Sequence, residues 1–391
     1  MEEADYLILG AGPAGSRAAQ AIRRRDPDGR IVLLTEESRA FTNRIVLSKE
    51  FLKSDDLPPE RATVVPPEAL AGLGIDLRVR RRIVRLDPVA RTVDLEDGDR
   101  IGYGRALVAT GSRPLTLPVP GFDAPGVHTL RTIEDAVALR TAARAADRAI
   151  VVGGGLIGAE VACALRARGL GVTLLARETW FWGHLAPEGV GRVIGGILAA
   201  GGVDLRLGRT VAEILPEPDG LVVRTSEGEE ARAPLIVVGV GVRYNVDFLA
   251  DSGLVGPGRG VRANARLETD APGLWAAGDV AAFDDPVLGA RHHVEHWLHA
   301  QHQGRLAGEN MTGGDAIYAR VSSYDTRLFD VPVTVVGAPD LAGRWTEEEE
   351  LRGEAGLAVG WRGERPVAAF RIGEGATAEV TRRIADAVEE P

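Results

Sequence analysis

The stretch "VVGGGLIGAE", residues 151–160, is an apolar run that breaks into a glycine-rich turn, and "LILGAGPAG", residues 7–15, has the same form. Each turn separates a strand-like run from a helix-like one. "DYLILG" reads as a short apolar strand, "AGPAGSRAAQAIRRRD" as a turn into an Ala-rich helix, and "RIVLLTEE" as a second strand; together they make a βαβ unit. "RAIVVGGGLIGAEVACALRARGLGVTLLARE", from residue 148, repeats that grammar. In such a unit Gly10, Gly12 and Gly15 permit a tight turn, close approach of backbone to a pyrophosphate, and close packing of helix on strand. The helix N-terminus faces the anion. Gly153, Gly155 and Gly158 have the same spacing, and Glu36 stands 21 residues after Gly15 at the end of the second strand, where a carboxylate accepts from ribose hydroxyls.

Two such units predict two dinucleotides on one chain, the arrangement needed to pass a hydride from a nicotinamide to a flavin. Composition narrows the rest. A chain of 391 residues exceeds one ordinary core and predicts two or three domains. With 45% hydrophobic and 26% charged residues, and no run near the length of a membrane span, a soluble chain is expected. "MEEADYLILG" is acidic and turns at once into a strand, unlike a signal peptide, so a cytoplasmic location is expected. The lone cysteine, Cys163, excludes an intrachain disulfide and a Cys-x-x-Cys pair; it is expected in the core. A formal charge of -10 argues against a nucleic-acid partner.

Further motifs follow in order: "RIVLSK" at 44–49, "LVATGSRP" at 107–114, "LRTIEDA" at 130–136, "IVVGVGVRYN" at 236–245, "LWAAGDV" at 274–280 and "VEHWLHAQHQGRLAGENM" at 294–311. With the two glycine turns, the chain through residue 315 or so resembles the two-dinucleotide-binding flavoprotein reductases. The similarity is strongest to the ferredoxin, putidaredoxin and rubredoxin reductases and to apoptosis-inducing factor. The last 75 or so residues match only loosely.

The resemblance implies an α/β fold with two Rossmann-like dinucleotide-binding domains, for FAD and NAD(P), and a small α+β C-terminal domain. The expected boundaries are 1–114 with 245–315 for FAD, 115–244 for NAD(P) and 316–391 for the C-terminal domain. It implies that Gly10, Gly12, Pro13, Ala14 and Gly15 face the FAD pyrophosphate, Glu36 its ribose, Ile83 its adenine and Arg131 the flavin side, while Arg44 and Lys49 match the basic positions of the family's Arg-Pro-x-Leu-Ser-Lys segment. Ala109, Thr110 and Gly111 form the Ala-Thr-Gly turn, Gly278 precedes the flavin-binding Asp279, and Trp297 stands beside the flavin after Glu295 and His296. Gly153, Gly155, Leu156, Ile157, Gly158 and Gly241 fall to the nicotinamide side. Lys49 and Glu160 are the implied catalytic pair: a buried ammonium stabilises the reduced flavin, and the glutamate neutralises it and lines the nicotinamide pocket.

Departures sharpen the reading. Arg44-Ile45-Val46 stands where the family has Arg-Pro-Pro, and Leu156 where many relatives place a tyrosine. Ser48 or Lys49 stands near where coenzyme A disulfide reductases carry their cysteine, which disfavours disulfide substrates. In "VTLLARE", 172–178, the strand-end acid of an NAD site is replaced by Ala176, and Arg177 follows; this favours NADPH, with Glu178 opposing. "HHVEHWLHAQH", 292–302, holds five of the seven histidines, but only Glu295 supplies a nearby carboxylate, so no metal is expected. "WFW" at 180–182 either sits over the cofactor or covers a surface, and "TEEEEL" at 346–351 reads as a solvated acidic stretch.

The resemblance implies a FAD-dependent oxidoreductase, monomer or homodimer, that takes a hydride from NAD(P)H and passes electrons to a small ferredoxin, rubredoxin or Rieske-type carrier. "RVRRRIVR" at 78–85 is a candidate basic docking patch. Two alternatives stand: an NAD(P)H oxidase or quinone reductase, and an NAD(P)H-responsive binding protein similar to apoptosis-inducing factor.

Overall fold

A computed structural model describes residues 2–256 and 259–387. The strand Glu2–Leu9, buried along its inner half, pairs in parallel with Ile31–Leu34 on one side (Tyr6 opposite Ile31) and Arg100–Val108 on the other (Leu7 opposite Ala106). Ile31–Leu34 and the inner ends of Glu2–Leu9 and Arg100–Val108 are apolar and buried, as parallel strands covered on both faces must be. Ile75–Arg78, Thr92–Leu95, Ile83–Asp87 and Leu274–Ala276 complete a seven-stranded sheet. The second glycine turn begins a five-stranded parallel sheet ordered Val203–Leu207, Gly171–Ala176, Arg148–Val152, Leu235–Val238, Val127–His128. Among the described residues, the helices of eight residues or more are α1 (Pro13–Arg25), α2 (Ile133–Ala145), α3 (Leu156–Ala167), α4 (Glu188–Ala200), α5 (Trp297–Met311) and α6 (Ala378–Asp386). None is long and apolar enough to cross a membrane.

The C-terminal part is a five-stranded antiparallel sheet, Ser323–Leu328, Val331–Gly337, Arg365–Ile372, Ala355–Arg362, Arg344–Arg352, with α6 packed on it. It does not stand apart. Leu328, Val333, Phe370 and Ile372 share one hydrophobic core with Ala159, Val161, Cys163 and Trp182 of the second unit. At the tip of the Ser323–Leu328 hairpin, Phe329 adopts a left-handed backbone (φ 52) and lays its ring where a side chain on Gly201 would be, at the end of α4.

Three sequence expectations are corrected or resolved here. "TEEEEL" lies within the edge strand Arg344–Arg352, where Glu348 and Glu349 pair with Arg383 and Arg371. Four of the five arginines of 78–85 are paired with acids, Arg78 with Glu2 and Asp76, Arg81 with Asp97 and Asp99, Arg82 with Glu96, and Arg85 with Asp87 and Asp94, while Arg80 is exposed without an ion pair among the described residues, so most of the stretch's charge is already neutralised. Phe181 and Trp182 are buried in the shared core, Trp180 is half-buried, and none of the three lines the main cleft.

Candidate functional site

The first glycine turn is shaped from both sides. Gly10 has φ 110, and a side chain there would overlap the Ala109 carbonyl; one on Gly15 would overlap the Gly10 carbonyl. Both glycines are therefore demanded by packing within the protein. Gly12 differs: a side chain there meets nothing within 4 Å, because the space in front of it is the cleft. Gly12 caps α1 without a side-chain hydrogen bond and Pro13 opens the helix, leaving backbone N–H groups for an anion. α5 packs closely on α1, since side chains at Gly304 or Gly308 would overlap the Ala14 and Ala18 backbone. Buried Gln303 of α5 accepts from the Gly278 N–H at 2.8 Å, fixing the turn before Asp279. Sequence reasoning passed over Gln303.

A cleft of about 530 Å³ runs from this turn across the molecule. One end is lined by Glu36, Arg81, Arg82 and Ile83; Gly10, Gly12, Pro13, Ala14, Ala109, Thr110 and Gly111 line its middle with Arg44, Arg131, Gly278 and Asp279. The other end holds Lys49, Leu156, Ile157, Glu160, Glu295, His296 and Trp297. Gly15, Gly153, Gly155, Gly158, Arg177 and Gly241 are not among the lining residues. Gly15 stands behind the turn, and Gly241 (φ 116) joins Leu235–Val238 to Val242–Tyr244.

Charge in the middle of the cleft is arranged for an anion. Burial pushes the Asp279 carboxyl up, but Arg131 (3.0 Å), the Ser112 hydroxyl (2.7 Å) and the charge of Arg44 outweigh it and hold it below its ordinary value. Arg44, bonded to Glu37, is pushed down by burial and by the like charge of Arg131. A diphosphate between the two guanidiniums would relieve that repulsion. Glu36 is exposed at the strand end and makes no hydrogen bond or ion pair among the described residues, whereas its neighbour Glu37 is taken by Arg44. The Arg131 Nε and Trp297 Nε1 atoms are buried without a partner. An open glycine, paired arginines, an unengaged carboxylate and two orphaned donors along one elongated cleft fit FAD.

At the far end, Glu160 of α3 is buried and accepts three hydrogen bonds: from Lys49 Nζ at 2.6 Å and Thr326 Oγ1 at 2.7 Å on one oxygen, and from Ser48 Oγ at 2.5 Å on the other. Three donors offset the cost of burying the carboxylate. Thr326, with Tyr324 and Asp325 of the cleft lining, comes from the loosely matched C-terminal part, and no motif in the sequence marked it.

The histidines diverge. His292 Nε2 contacts buried Asp285 at 2.9 Å, and Phe283 packs nearby. His299 faces the Tyr318 hydroxyl at 3.0 Å, its ring held neutral by burial with a pKa of about 3. His296 stacks on Tyr324 (5.3 Å, 28°), pushed down to about 4 by burial. Loss of solvent around Glu295 raises its carboxyl, opposed by a 2.7 Å hydrogen bond from the Tyr244 hydroxyl. Among the described residues no three His, Cys, Asp or Glu groups gather to hold a metal ion. Cys163 is buried, its thiol pushed up to about 11 by burial.

The second glycine turn copies the first. Gly153 has φ 123 against the Gly239 carbonyl, Gly158 is packed on the Gly153 carbonyl, and Gly155 opens on space. Beyond the paired strand, Arg177 is exposed and donates to Glu178 at 3.0 Å, while a side chain on Gly154 would stand 2.9 Å from the Ala176 methyl and 3.6 Å from a Glu178 carboxylate oxygen.

Residues 4–304 match the family model described as pyridine nucleotide-disulphide oxidoreductase. The chain belongs to that family. Within it, the 3-phenylpropionate/cinnamic acid dioxygenase ferredoxin–NAD(+) reductase component of Photorhabdus laumondii is 28% identical over 375 residues, 96% of this chain and 94% of that protein. The p-cumate 2,3-dioxygenase system ferredoxin–NAD(+) reductase component of Pseudomonas putida is 34% identical over 311 residues, 78% and 74% of the two chains. Among solved structures, the covalent putidaredoxin reductase–putidaredoxin complex matches with a TM-score of 0.92 and 25% identity over 99% of this chain and 94% of that one.

Proposed function

We propose that this family member is an FAD-dependent oxidoreductase that takes a hydride from NAD(P)H and delivers electrons to a small iron–sulfur or rubredoxin-type carrier. The observation that carries the reading is the Lys49–Glu160 ion pair. Lys49 lies at the end of the first unit's cleft and Glu160 on the helix that follows the second glycine turn, so the pair stands where two dinucleotides would meet. Its relatives' names include ferredoxin–NAD(+) reductase components, in keeping with a carrier as acceptor. FAD, when bound, supplies the exchange between two-electron and one-electron chemistry. The chain's part is binding and electrostatics. Arg44 and Arg131 face the diphosphate, Asp279, kept ionised by those arginines, accepts from the ribityl chain, Glu36 accepts from the ribose, and the Lys49 ammonium stabilises the negative charge that reduction adds. With a single buried cysteine, no dithiol is proposed.

The proposed division places FAD on 1–114 with 245–315 and the nicotinamide on 115–244, with 316–391 as the third part. NADPH is the proposed donor, on Ala176 and Arg177; Glu178 opposes it by pairing with that arginine. Arg177→Ala should lower kcat/KM for NADPH by about tenfold to a hundredfold and leave NADH nearly unchanged. A wild type that prefers NADH, or equal losses for the two donors, would reject NADPH as the donor. For the function itself, the purified protein should carry one FAD, bleach anaerobically with reduced nicotinamide, and turn over rapidly only when a carrier is added. Oxygen consumption that no ferredoxin, rubredoxin or Rieske protein stimulates would point to the oxidase instead, and a colourless folded protein that takes up no FAD would sink the reading.

A further inference from the structure

We propose that Thr326, from the C-terminal sheet, is a positioning residue for the Lys49–Glu160 pair. This rests on the proposed role of that pair. Thr326 is buried, and its hydroxyl donates to Glu160 Oε1 at 2.7 Å, the same oxygen that accepts from Lys49 Nζ at 2.6 Å. Ser48 Oγ holds the other oxygen. Each Glu160 oxygen therefore has a hydroxyl donor, and Lys49 approaches a carboxylate whose rotation is fixed by two separate elements.

The strand Ser323–Leu328 faces α3, and alternate residues of a strand share a side. On this side Tyr324 stacks on His296, Thr326 meets Glu160, and Leu328 enters the shared core. Packing alone would be met by valine, which has the shape of threonine without the hydroxyl. A buried hydroxyl among apolar neighbours is costly unless it bonds, and here its partner is a carboxylate already paired with a cation. Thr326 shares the negative charge of Oε1. Without it that oxygen accepts from Lys49 alone and draws the ammonium toward α3, out of the cleft. The C-terminal sheet thus sets how much positive charge the first unit presents to its cofactor.

The test compares Thr326→Val and Thr326→Ser in the FAD-loaded protein, with Lys49→Ala alongside. Two quantities are measured: the flavin midpoint potential, which needs no nicotinamide, and the stopped-flow rate of reduction by NAD(P)H. Thr326→Val should lower the potential in the same direction as Lys49→Ala by a smaller amount, and slow reduction by about tenfold. Thr326→Ser, which keeps the hydroxyl, should stay close to wild type. Equal effects of Val and Ser would show that only packing is at stake and overturn the proposal, as would a Thr326→Val protein that matches wild type while Lys49→Ala is shifted. A potential untouched by Lys49→Ala would overturn the role of the pair itself, and Thr326 with it. Should Thr326→Val yield no FAD-loaded protein, Thr326→Ala against Thr326→Ser makes the same comparison.

Discussion

Gly12 and Gly15 are three residues apart and constrained by different things. Ala at Gly15 would overlap the Gly10 carbonyl, and only a shift of α1 off its strand relieves that; Gly15→Ala should cost about 1–3 kcal/mol of stability. Ala at Gly12 meets no protein atom, so Gly12→Ala should leave apoprotein stability within about 1 kcal/mol. Its methyl enters the cleft, in the space proposed for the diphosphate, so FAD affinity should fall at least roughly tenfold. Denaturant titration of apoprotein and FAD titration separate the two, and equal stability losses would refute the distinction. His299 supplies a pH test. Its pKa is depressed by burial to about 3, so between the unfolded value of about 6.5 and 3 the unfolded chain binds a proton that the folded one refuses. Stability from this residue is therefore lost as pH falls through that window, by up to about 1.4 kcal/mol per pH unit. His299→Gln should flatten the slope between pH 6 and 4, and an unchanged slope would show that His299 protonates freely in the fold. The glycines were legible in sequence because their constraint is local. Glu160 and Lys49, 111 residues apart, came together only through the resemblance, and Thr326, 166 residues from Glu160, carried no signal because one hydroxyl on a polar strand reads like any other.

Helix α2 shows an element placing a side chain. Its N-terminus is a capping box in which the Thr132 side chain accepts from Asp135 N at 3.1 Å, while Asp135 Oδ2 accepts from the backbone of both Thr132 (2.8 Å) and Arg131 (2.9 Å). The carboxylate that starts the helix also fixes the backbone of the arginine that reaches Asp279. Asp135→Ala should cost about 1–2 kcal/mol and weaken FAD binding through a looser Arg131. Calorimetry on apoprotein and an FAD titration check both, and unaltered FAD affinity would mean that Arg131 is held by Asp279 alone. Elements differed in legibility for a physical reason. The inner strands "VPVTVVG", 331–337, and "RPVAAFRI", 365–372, keep a legible apolar pattern because both lie inside the C-terminal sheet and are largely buried. Arg344–Arg352 did not, because it is the sheet's edge. Its glutamates face solvent and two register shifts interrupt its pairing, devices that protect an edge from further pairing and erase the apolar pattern.

At the scale of the whole molecule, the second unit and the C-terminal sheet are one packed body. Phe370, fully buried, lies between Trp182 (5.9 Å) and Trp345 (5.5 Å), and Trp182 in turn donates its backbone N–H to the Gly154 carbonyl in the second glycine turn. A defect in the sheet should therefore reach the second glycine turn, the one proposed for the nicotinamide. Phe370→Ala removes a ring that the surrounding backbone cannot collapse to replace and should cost about 3–5 kcal/mol. Because the core is shared, that loss should appear as one transition: tryptophan fluorescence, far-ultraviolet dichroism and the capacity to bind reduced nicotinamide should fall together, at lower denaturant than in wild type. If the sheet were an independent unit, Phe370→Ala would instead melt in two steps, with nicotinamide binding surviving the first. Following fluorescence and nicotinamide binding through the same denaturant series decides between the two, and a plateau in which the sheet is lost while binding persists would rule out the shared core as the link.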